Sequence, residues 1–333
     1  MNVTFRQLRL FLALAQTGSV SAAARAMHVS QPTASLQLKE LTDAVGAPLY
    51  EVVSRRVRLT ALGEDLAFTA QRIREEWDGF RQLVDAERGL ERGRISISVV
   101  STAKYFTPRW LGSFCRQHPG VDVALMVLNR DGVVQRLRAN LDDLYIMSTP
   151  PTDLALEDQV FLPNPLVLIA PSDHALAGKQ RLPWARVCKE RFILREQGSG
   201  TRMACEAYFR AKGLVPQVRL ELGSSEAIKQ AVRGGLGLSI LSVHSLGPHF
   251  DQEGLTILDA VDFPIDSHWH LVRPKGRRLS PLAAEFSAHI LREAEREAPT
   301  LLDIPPQPSA SRRKASNRGR KIPAARRADQ GAG

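Results

Sequence analysis

The spacing of hydrophobic and polar positions changes character several times along the chain, and each change predicts a different element. Over residues 5–17, Phe5, Leu8, Leu12 and Ala15 fall on one helical face. The stretch from Gly18 to Leu41, GSVSAAARAMHVSQPTASLQLKEL, predicts two short helices with a turn between them. The first spans 21–27 and is dense in alanine, so another helix can approach closely. His28, Val29 and Ser30 make the turn. The second starts at Ser30-Gln31-Pro32, with Ser30 as N-cap and Pro32 in the first turn, where its missing N–H costs nothing. Ala34, Leu38, Leu41 and Val45 form its buried stripe. Pro32, Ser35, Leu36 and Lys39 point the other way. An exposed leucine among polar neighbours suits a helix lying in a DNA major groove, where apolar groups meet thymine methyls and Gln or Ser meets base edges. Gln31, Pro32, Thr33, Ser35, Leu36 and Lys39 are therefore the candidate DNA-reading residues. From spacing alone, an ordinary helical hairpin stays open as the alternative.

Downstream, an apolar strand over 48–53, a basic turn Ser54-Arg55-Arg56 and a strand over 57–60 predict a wing. Arg55 and Arg56 would reach phosphates or the minor groove; a solvated hairpin tip is the plainer reading. A long helix follows over 61–88, with Leu62, Leu66, Thr69, Ile73, Trp77, Phe80 and Val84 at three- and four-residue spacing. At about 1.5 Å per residue it spans about 40 Å. So narrow a stripe on so long a helix pairs with another helix, and DNA readers commonly bind two half-sites, so a self-paired dimer is expected. Packing on its own domain is the alternative. Gly89 and Gly93 end the helix in a hinge-like linker.

From Arg94 the texture alternates between strand and helix. Strands are predicted at 95–100, 121–128, 143–147, 166–171, 192–194, 219–222, 238–241 and 267–272. Helices are predicted at 101–115, 131–140, 201–212, 225–234 and 281–297. Crossings near 161–165 and 263–268 divide this part into two lobes. The expected organisation is an all-α winged helix-turn-helix domain (1–60), a linker and dimerisation helix with its hinge (61–93), and a two-lobed α/β effector-binding domain (94–298). Lobe I would hold about 94–162 and 267–298, lobe II about 163–266. A basic tail (299–333), poor in apolar side chains, is expected to be disordered.

The chain has 333 residues, 44% hydrophobic and 24% charged, which fits a globular protein of two or three domains. Its net charge of +10 is uneven: residues 303–333 carry eight Lys/Arg against two Asp, leaving only +4 for the rest. The basic balance is thus weak evidence for nucleic-acid binding by the folded part, although the tail could add non-specific attraction. Arg6 and Arg9 interrupt the N-terminal apolar run and no small-residue cleavage site follows, so that run reads as an amphipathic helix and not a signal peptide. No stretch is long and apolar enough for a membrane span. Cys115, Cys188 and Cys205 are scattered without CxxC pairing, which points to a reducing cytoplasm and away from a disulfide framework or structural zinc. There is no G-x-S-x-G elbow, P-loop, HExxH or Cys/His cluster, so no enzyme activity, catalytic residue, metal or cofactor is expected.

A small ligand in such a module binds between the lobes, where helix starts aim N–H groups at anions. Three polar helix starts qualify: Ser101-Thr102-Ala103-Lys104, Gly198-Ser199-Gly200-Thr201-Arg202 and Gly223-Ser224-Ser225-Glu226. Ser101, Thr102, Ser199, Thr201 and Ser224 would donate to a carboxylate or phosphate, and Lys104 or Arg202 would neutralise it. Taken singly, each Ser or Thr is better explained as an N-cap; the three starts together favour a site.

The stretch FRQLRLFLALAQTGSVSAAARAMHVSQPTASLQLKELTDAVGAPLYE, followed by RRVRLTALGE, resembles the winged helix-turn-helix and linker helix of LysR-type transcriptional regulators. The likeness continues to about Arg296 and omits the basic tail. VVSTAKYFTPRWLGSFCRQHPGV, NPLVLIAPSDHALAG, REQGSGTR and LGSSEAIKQAVRGGLGLSILS look most like the subgroup that regulates RuBisCO (Calvin-cycle) operons. The resemblance implies a periplasmic-binding-protein-like effector domain, a tetramer built as a dimer of dimers, and an operator whose bending responds to a small-molecule co-inducer. The implied partners are double-stranded operator DNA, further copies of the chain and the effector, with RNA polymerase as a further candidate. By position, Gln31, Pro32, Ser35 and Leu36 match the base-contacting positions. Leu36 departs from the arginine many members carry there, which puts a guanine contact in doubt. Where many relatives have an arginine after the strand 144–147, this chain has Ser148-Thr149-Pro150, so a strongly phosphorylated effector is not assured. The alternative is a solute-binding protein or enzyme of similar α/β fold with an accessory helical domain.

Overall fold

The computed structural model describes residues 2–53, 56–87, 92–247 and 249–302. Helix α1 (Phe5–Thr17) begins with a capping box: the Thr4 hydroxyl accepts from the Gln7 N–H at 3.2 Å and Gln7 Oε1 accepts from the Thr4 N–H at 2.9 Å. Helix α2 (Val20–Ala26) starts one residue before the expected position because Ser19 is its N-cap. Helix α3 (Gln31–Val45) is capped by Ser30, whose Oγ accepts from the Thr33 N–H at 3.3 Å. Ala23, Ala24 and Ala34 are buried where these helices close on Leu10, Phe11, Leu14, Leu38 and Leu41. Strands β1 (Tyr50–Val53) and β2 (Arg56–Leu59) pair antiparallel as the wing, which is tied to the end of α1 by a hydrogen bond from Val57 N–H to the Gly18 carbonyl at 3.0 Å.

Helix α4 (Ala61–Glu87) leaves this head where Gly63 lies against strand β1's approach: a Cβ on Gly63 would sit 1.9 Å from the Leu49 carbonyl oxygen. Leu66 packs into the head. Leu62, Phe68, Ile73, Trp77 and Phe80 remain 43% to 54% exposed.

Lobe I is built on a five-stranded sheet ordered β4-β3-β5-β12-β6, from β3 (Arg92–Val100), β4 (Gly120–Leu128), β5 (Leu144–Met147), β6 (Leu156–Pro163) and β12 (His268–Pro274). β3 runs parallel to β4 and β5; β12 runs antiparallel to β5 and β6. Helices α5 (Thr107–Gln117), α6 (Arg130–Arg138) and α10 (Pro281–Leu302) cover it around Trp110, Phe114, Tyr145, Trp269 and Phe286. Lobe II holds β7 (Leu166–Pro171), the short α7 (Trp184–Val187), β8 (Arg191–Arg195), α8 (Gly200–Ala211), β9 (Gln217–Leu222), α9 (Ser225–Arg233), β10 (Ser239–Ser242) and β11 (Leu255–Ile257). Its sheet β10-β7-β11 and its parallel pair β8-β9 are joined by a bridge between Phe192 and Leu238. The chain enters and leaves lobe II side by side, with Asn164 N–H donating to the Ser267 carbonyl at 2.8 Å.

The predicted helix over 101–115 is a correction. Residues Ala103–Tyr105 form a single 3₁₀ turn, and α5 starts only at Thr107. Pro108 lacks the N–H that a continuous helix would send back to Lys104, so proline opens a new helix instead of extending the old one. Strands β6 and β11 and helix α7 have no counterpart in the pattern reading. β6 is an edge strand of mixed exposure, and the other two are only three and four residues long.

Candidate functional site

On α3, the capping of its first turn and the buried stripe together fix which side faces outward. Gln31, Pro32, Thr33, Ser35, Leu36 and Lys39 are all exposed, Leu36 to 57%. Gln31 Oε1 accepts from the Ser21 hydroxyl of α2 at 3.1 Å, which orients it. The Thr33 hydroxyl lies 2.7 Å from that of Ser30. Ser35 and Lys39 make no side-chain hydrogen bond or ion pair among the described residues. Beside them stands the wing, with exposed Arg56 and Arg58 and an apolar tip of Val52 and Val53, 66% and 43% exposed. Arg55 lies outside the described residues. The surface combines free polar groups, one apolar contact and flanking cations, which is the chemistry of base edges, a thymine methyl and phosphates.

Between the lobes the side chains behave differently, because they engage each other. Arg195 ends β8 with its side chain only 2% exposed. Its Nε and Nη2 donate to the two carboxylate oxygens of Glu196 at 2.8 and 2.9 Å, Nη2 also donates to Ser101 Oγ of lobe I at 3.0 Å, and Nη1 reaches Ser225 Oγ at 3.4 Å. The Tyr105 hydroxyl of lobe I donates to Glu226 Oε1 of lobe II at 2.6 Å. Glu226 Oε2 lies 3.0 Å from Lys229 Nζ, and the ammonium groups of Lys104 and Lys229 sit 5.1 and 5.8 Å from the Tyr105 ring centroid. Burial first, and then the hydrogen bond to Glu226, pushes the Tyr105 hydroxyl well above its usual range. Burial pushes the Glu226 carboxyl up, but the hydrogen bonds from Tyr105 and Lys229 and the charges of Lys229 and Lys104 outweigh it, and the net shift is down.

A second contact zone forms where α6 meets the start of α8. Arg130 Nε donates to the Thr149 carbonyl at 2.6 Å, and Asp131 N–H donates across the cleft to the Gly198 carbonyl at 3.2 Å. Gly198 has φ +79°, which favours glycine, and a Cβ there would lie 2.5 Å from Asp131 Oδ2, so that carboxylate would have to move aside. A Cβ added at Gly200 would lie 3.1 Å from Ser148 Oγ of lobe I.

The three predicted helix starts converge on this cleft with unequal roles. Ser101 meets Arg195, and Lys104 stacks over Tyr105. Thr102, Ser199 and Thr201 are buried, and Ser199 stands at the α8 N-cap position without a side-chain capping bond. Ser224 caps α9, its Oγ accepting from the Ala227 N–H at 3.1 Å. Arg202 is engaged within lobe II, with Nε 2.5 Å from Glu206 and Nη1 3.0 Å from Glu221 and 2.9 Å from the Arg195 carbonyl. The cations that face the cleft are Arg195, Lys229, Lys104 and Arg130. Arg195, Lys229, Tyr105 and Arg130 escaped sequence reasoning. The available signal was Arg195 itself, a charged residue continuing the apolar run Phe192-Ile193-Leu194 directly before the glycine-rich turn.

Cys205 is fully packed in lobe II, and burial pushes its thiol up to about 12, so it is a core residue and no ready thiolate. A separate cavity of about 1000 Å³ lies between α4 and lobe I, away from the cleft, walled in part by Arg136 and Arg277 paired with Asp142 and Asp143. Among the described residues, no helix is long and apolar enough to cross a membrane, and no cluster of His, Cys, Asp or Glu could hold a metal ion.

A winged helix-turn-helix joined by a long helix to a two-lobed α/β module, whose lobes meet through paired charges, defines the class of a DNA-binding regulator. Residues 5–64 match the bacterial regulatory helix-turn-helix protein, lysR family, and residues 88–295 match the LysR substrate binding domain. The chain belongs to the LysR family of transcriptional regulators. It is 40% identical over 303 residues to the HTH-type transcriptional activator CmpR of Synechocystis sp., covering 91% of this chain and 99% of that protein. It is 39% identical over 289 residues to a RuBisCO operon transcriptional regulator of Acidithiobacillus ferrooxidans, covering 87% and 94%. Among solved structures it is similar to the regulatory domain of Synechocystis PCC6803 CcmR in complex with 2-PG, with a TM-score of 0.60 and 45% identity over 61% of this chain and 98% of that one. These relatives are regulators and not enzymes, as the missing catalytic motifs implied.

Proposed function

We propose that α3 and the wing read an operator and that the cleft takes a small anionic effector of the 2-PG type, whose binding changes the fit or bend of the DNA. The observation that carries the effector half is Arg195. A guanidinium 2% exposed, bonded to both lobes, is placed where an anion could join them. The Ser148-Thr149-Pro150 departure leaves room for this reading, because Arg130, Arg195, Lys104 and Lys229 supply cationic groups from elsewhere. The ligand residues on this reading are Ser101, Thr102, Lys104, Ser199, Thr201, Arg202 and Ser224 from the helix starts, with Arg195 and Lys229 added. The DNA residues are Gln31, Pro32, Thr33, Ser35, Leu36, Lys39, Arg55 and Arg56. The exposed apolar stripe of α4 supports a dimer through residues 61–93, with a dimer of dimers as the working assembly in the cytoplasm. Control of a RuBisCO operon follows the names of the relatives, and RNA polymerase is the further partner that the family resemblance implies.

The test is a binding shift on the DNA upstream of the neighbouring divergent gene, at two salt concentrations, with and without 2-PG, sugar phosphates and organic acids. Selective binding whose affinity or footprint changes with one of these anions is expected. Selective binding indifferent to all of them would remove the effector half of the reading. No preference over random DNA would remove the operator half.

A further inference from the structure

Resting on the reading of the cleft as an anion site, we propose that Glu226 is a built-in competitor for the effector: its carboxylate ties Tyr105 of lobe I to Lys229 of lobe II and must swing away when an external anion takes its place. The geometry separates Glu226 from Glu196, the acid on Arg195. Glu196 forks onto Arg195, its neighbour in sequence, and both belong to lobe II. Glu226 spans the lobes, with one oxygen 2.6 Å from the Tyr105 hydroxyl and the other 3.0 Å from Lys229 Nζ. Exposure decides which partner moves. The Lys229 side chain is 9% exposed, whereas that of Glu226 is 51% exposed. Glu226 can rotate into water at little cost. Lys229 cannot, and a buried ammonium left without a counter-ion is strongly disfavoured. An anion can therefore replace Glu226 on Lys229 one charge for one charge. A neutral molecule of the same shape would have to leave the acid in place. The device selects for charge and holds the lobes together by the protein's own contacts.

Two variants test it. Glu226→Gln keeps an acceptor for Tyr105 but removes the competing charge, so 2-PG, measured by calorimetry on the full chain, should bind about tenfold tighter. Tyr105→Phe removes the cross-lobe hydrogen bond. In ligand-free protein, hydrogen exchange at the Asp131 amide, which donates across the cleft to Gly198, should then quicken several-fold. A thermal melt on each variant separates these effects from loss of fold. Unchanged or weaker 2-PG binding by Glu226→Gln would overturn the proposal, because a carboxylate that contacts or merely supports the ligand gives that result. If the parent binds none of the anions, the effector reading fails by itself and the competition falls with it; faster exchange at Asp131 in Tyr105→Phe would then sustain only the cross-lobe tie, and unchanged exchange would overturn that tie as well.

Discussion

The DNA-reading head and the effector cleft deploy polar side chains in opposite ways. On α3 the outward groups stand ready: Ser35 and Lys39 have no side-chain partner among the described residues, and Leu36 lies open to solvent. In the cleft nearly every charged group already has a protein partner, from Arg195 on Glu196 to Lys229 on Glu226. The difference follows from solvent. An exposed hydroxyl or ammonium is satisfied by water and waits at no cost. A guanidinium or ammonium buried between two lobes must be neutralised by the protein itself. The outward groups of the head can therefore be read residue by residue, whereas the charges between the lobes are already engaged with one another.

That contrast can be broken or sharpened experimentally. The largest effect should come from the inward face of α3. Leu38 is 0% exposed in the head core, and Leu38→Ala should cost about 2–5 kcal/mol, seen as a lower melting temperature of the head together with lost DNA binding. Next is Arg195→Ala, which strips Glu196 and Ser101 of their partner. It should cost about 1–3 kcal/mol and abolish the response to anions while DNA binding without effector persists. If Arg195→Ala left the anion response intact, the cleft would not be the effector site. Leu36→Ala, only two positions from Leu38, should move stability by no more than about 0.5 kcal/mol. It should still lower preference for the operator over random DNA by about tenfold in a competition shift. Retained preference would mean that α3 docks without reading.

The smallest effect concerns pH and belongs to the effector half alone. His244, which sits between the lobes against Phe106 and Trp269 and bonds the Pro163 carbonyl at 2.9 Å, is held below its ordinary value by burial. His289, against the Trp110 carbonyl and Ser113, is lowered for the same reason. Both carry a proton more readily when unfolded than when folded. Their contribution to stability is thus full above the unfolded value of 6.5 and is lost as pH falls through the lower folded values. The effector half should melt progressively earlier below pH 6.5, and His244→Gln with His289→Gln should flatten that slope. An unaltered slope would assign the loss to other groups.

How much was legible in the sequence follows the same division. Ser30 as N-cap, Pro32 in the first turn and the stripe of Ala34, Leu38 and Leu41 are local facts. They oriented α3 and so placed Gln31, Ser35 and Leu36 on its outer face before any tertiary contact was known. The long helix, the strand and helix alternation and the return of β12 to the first sheet were likewise visible as changes of period. Pro108 was a local signal too, and its effect on the stretch over 101–115 was readable in principle. The cleft was not. The motifs Ser101–Lys104, Ser199–Arg202 and Ser224–Glu226 marked its neighbourhood, but nothing near Arg202 in sequence says that it pairs with Glu221 while Arg195 turns to Ser101, 94 residues away. Sequence by itself determined most of the periodic elements, the outward face of α3 and the family, because helix caps and apolar stripes act over a few residues. Only the tertiary structure decided which cations face the cleft and which acids already occupy them, because a buried charge takes whichever partner the fold brings within hydrogen-bond reach, at any separation along the chain.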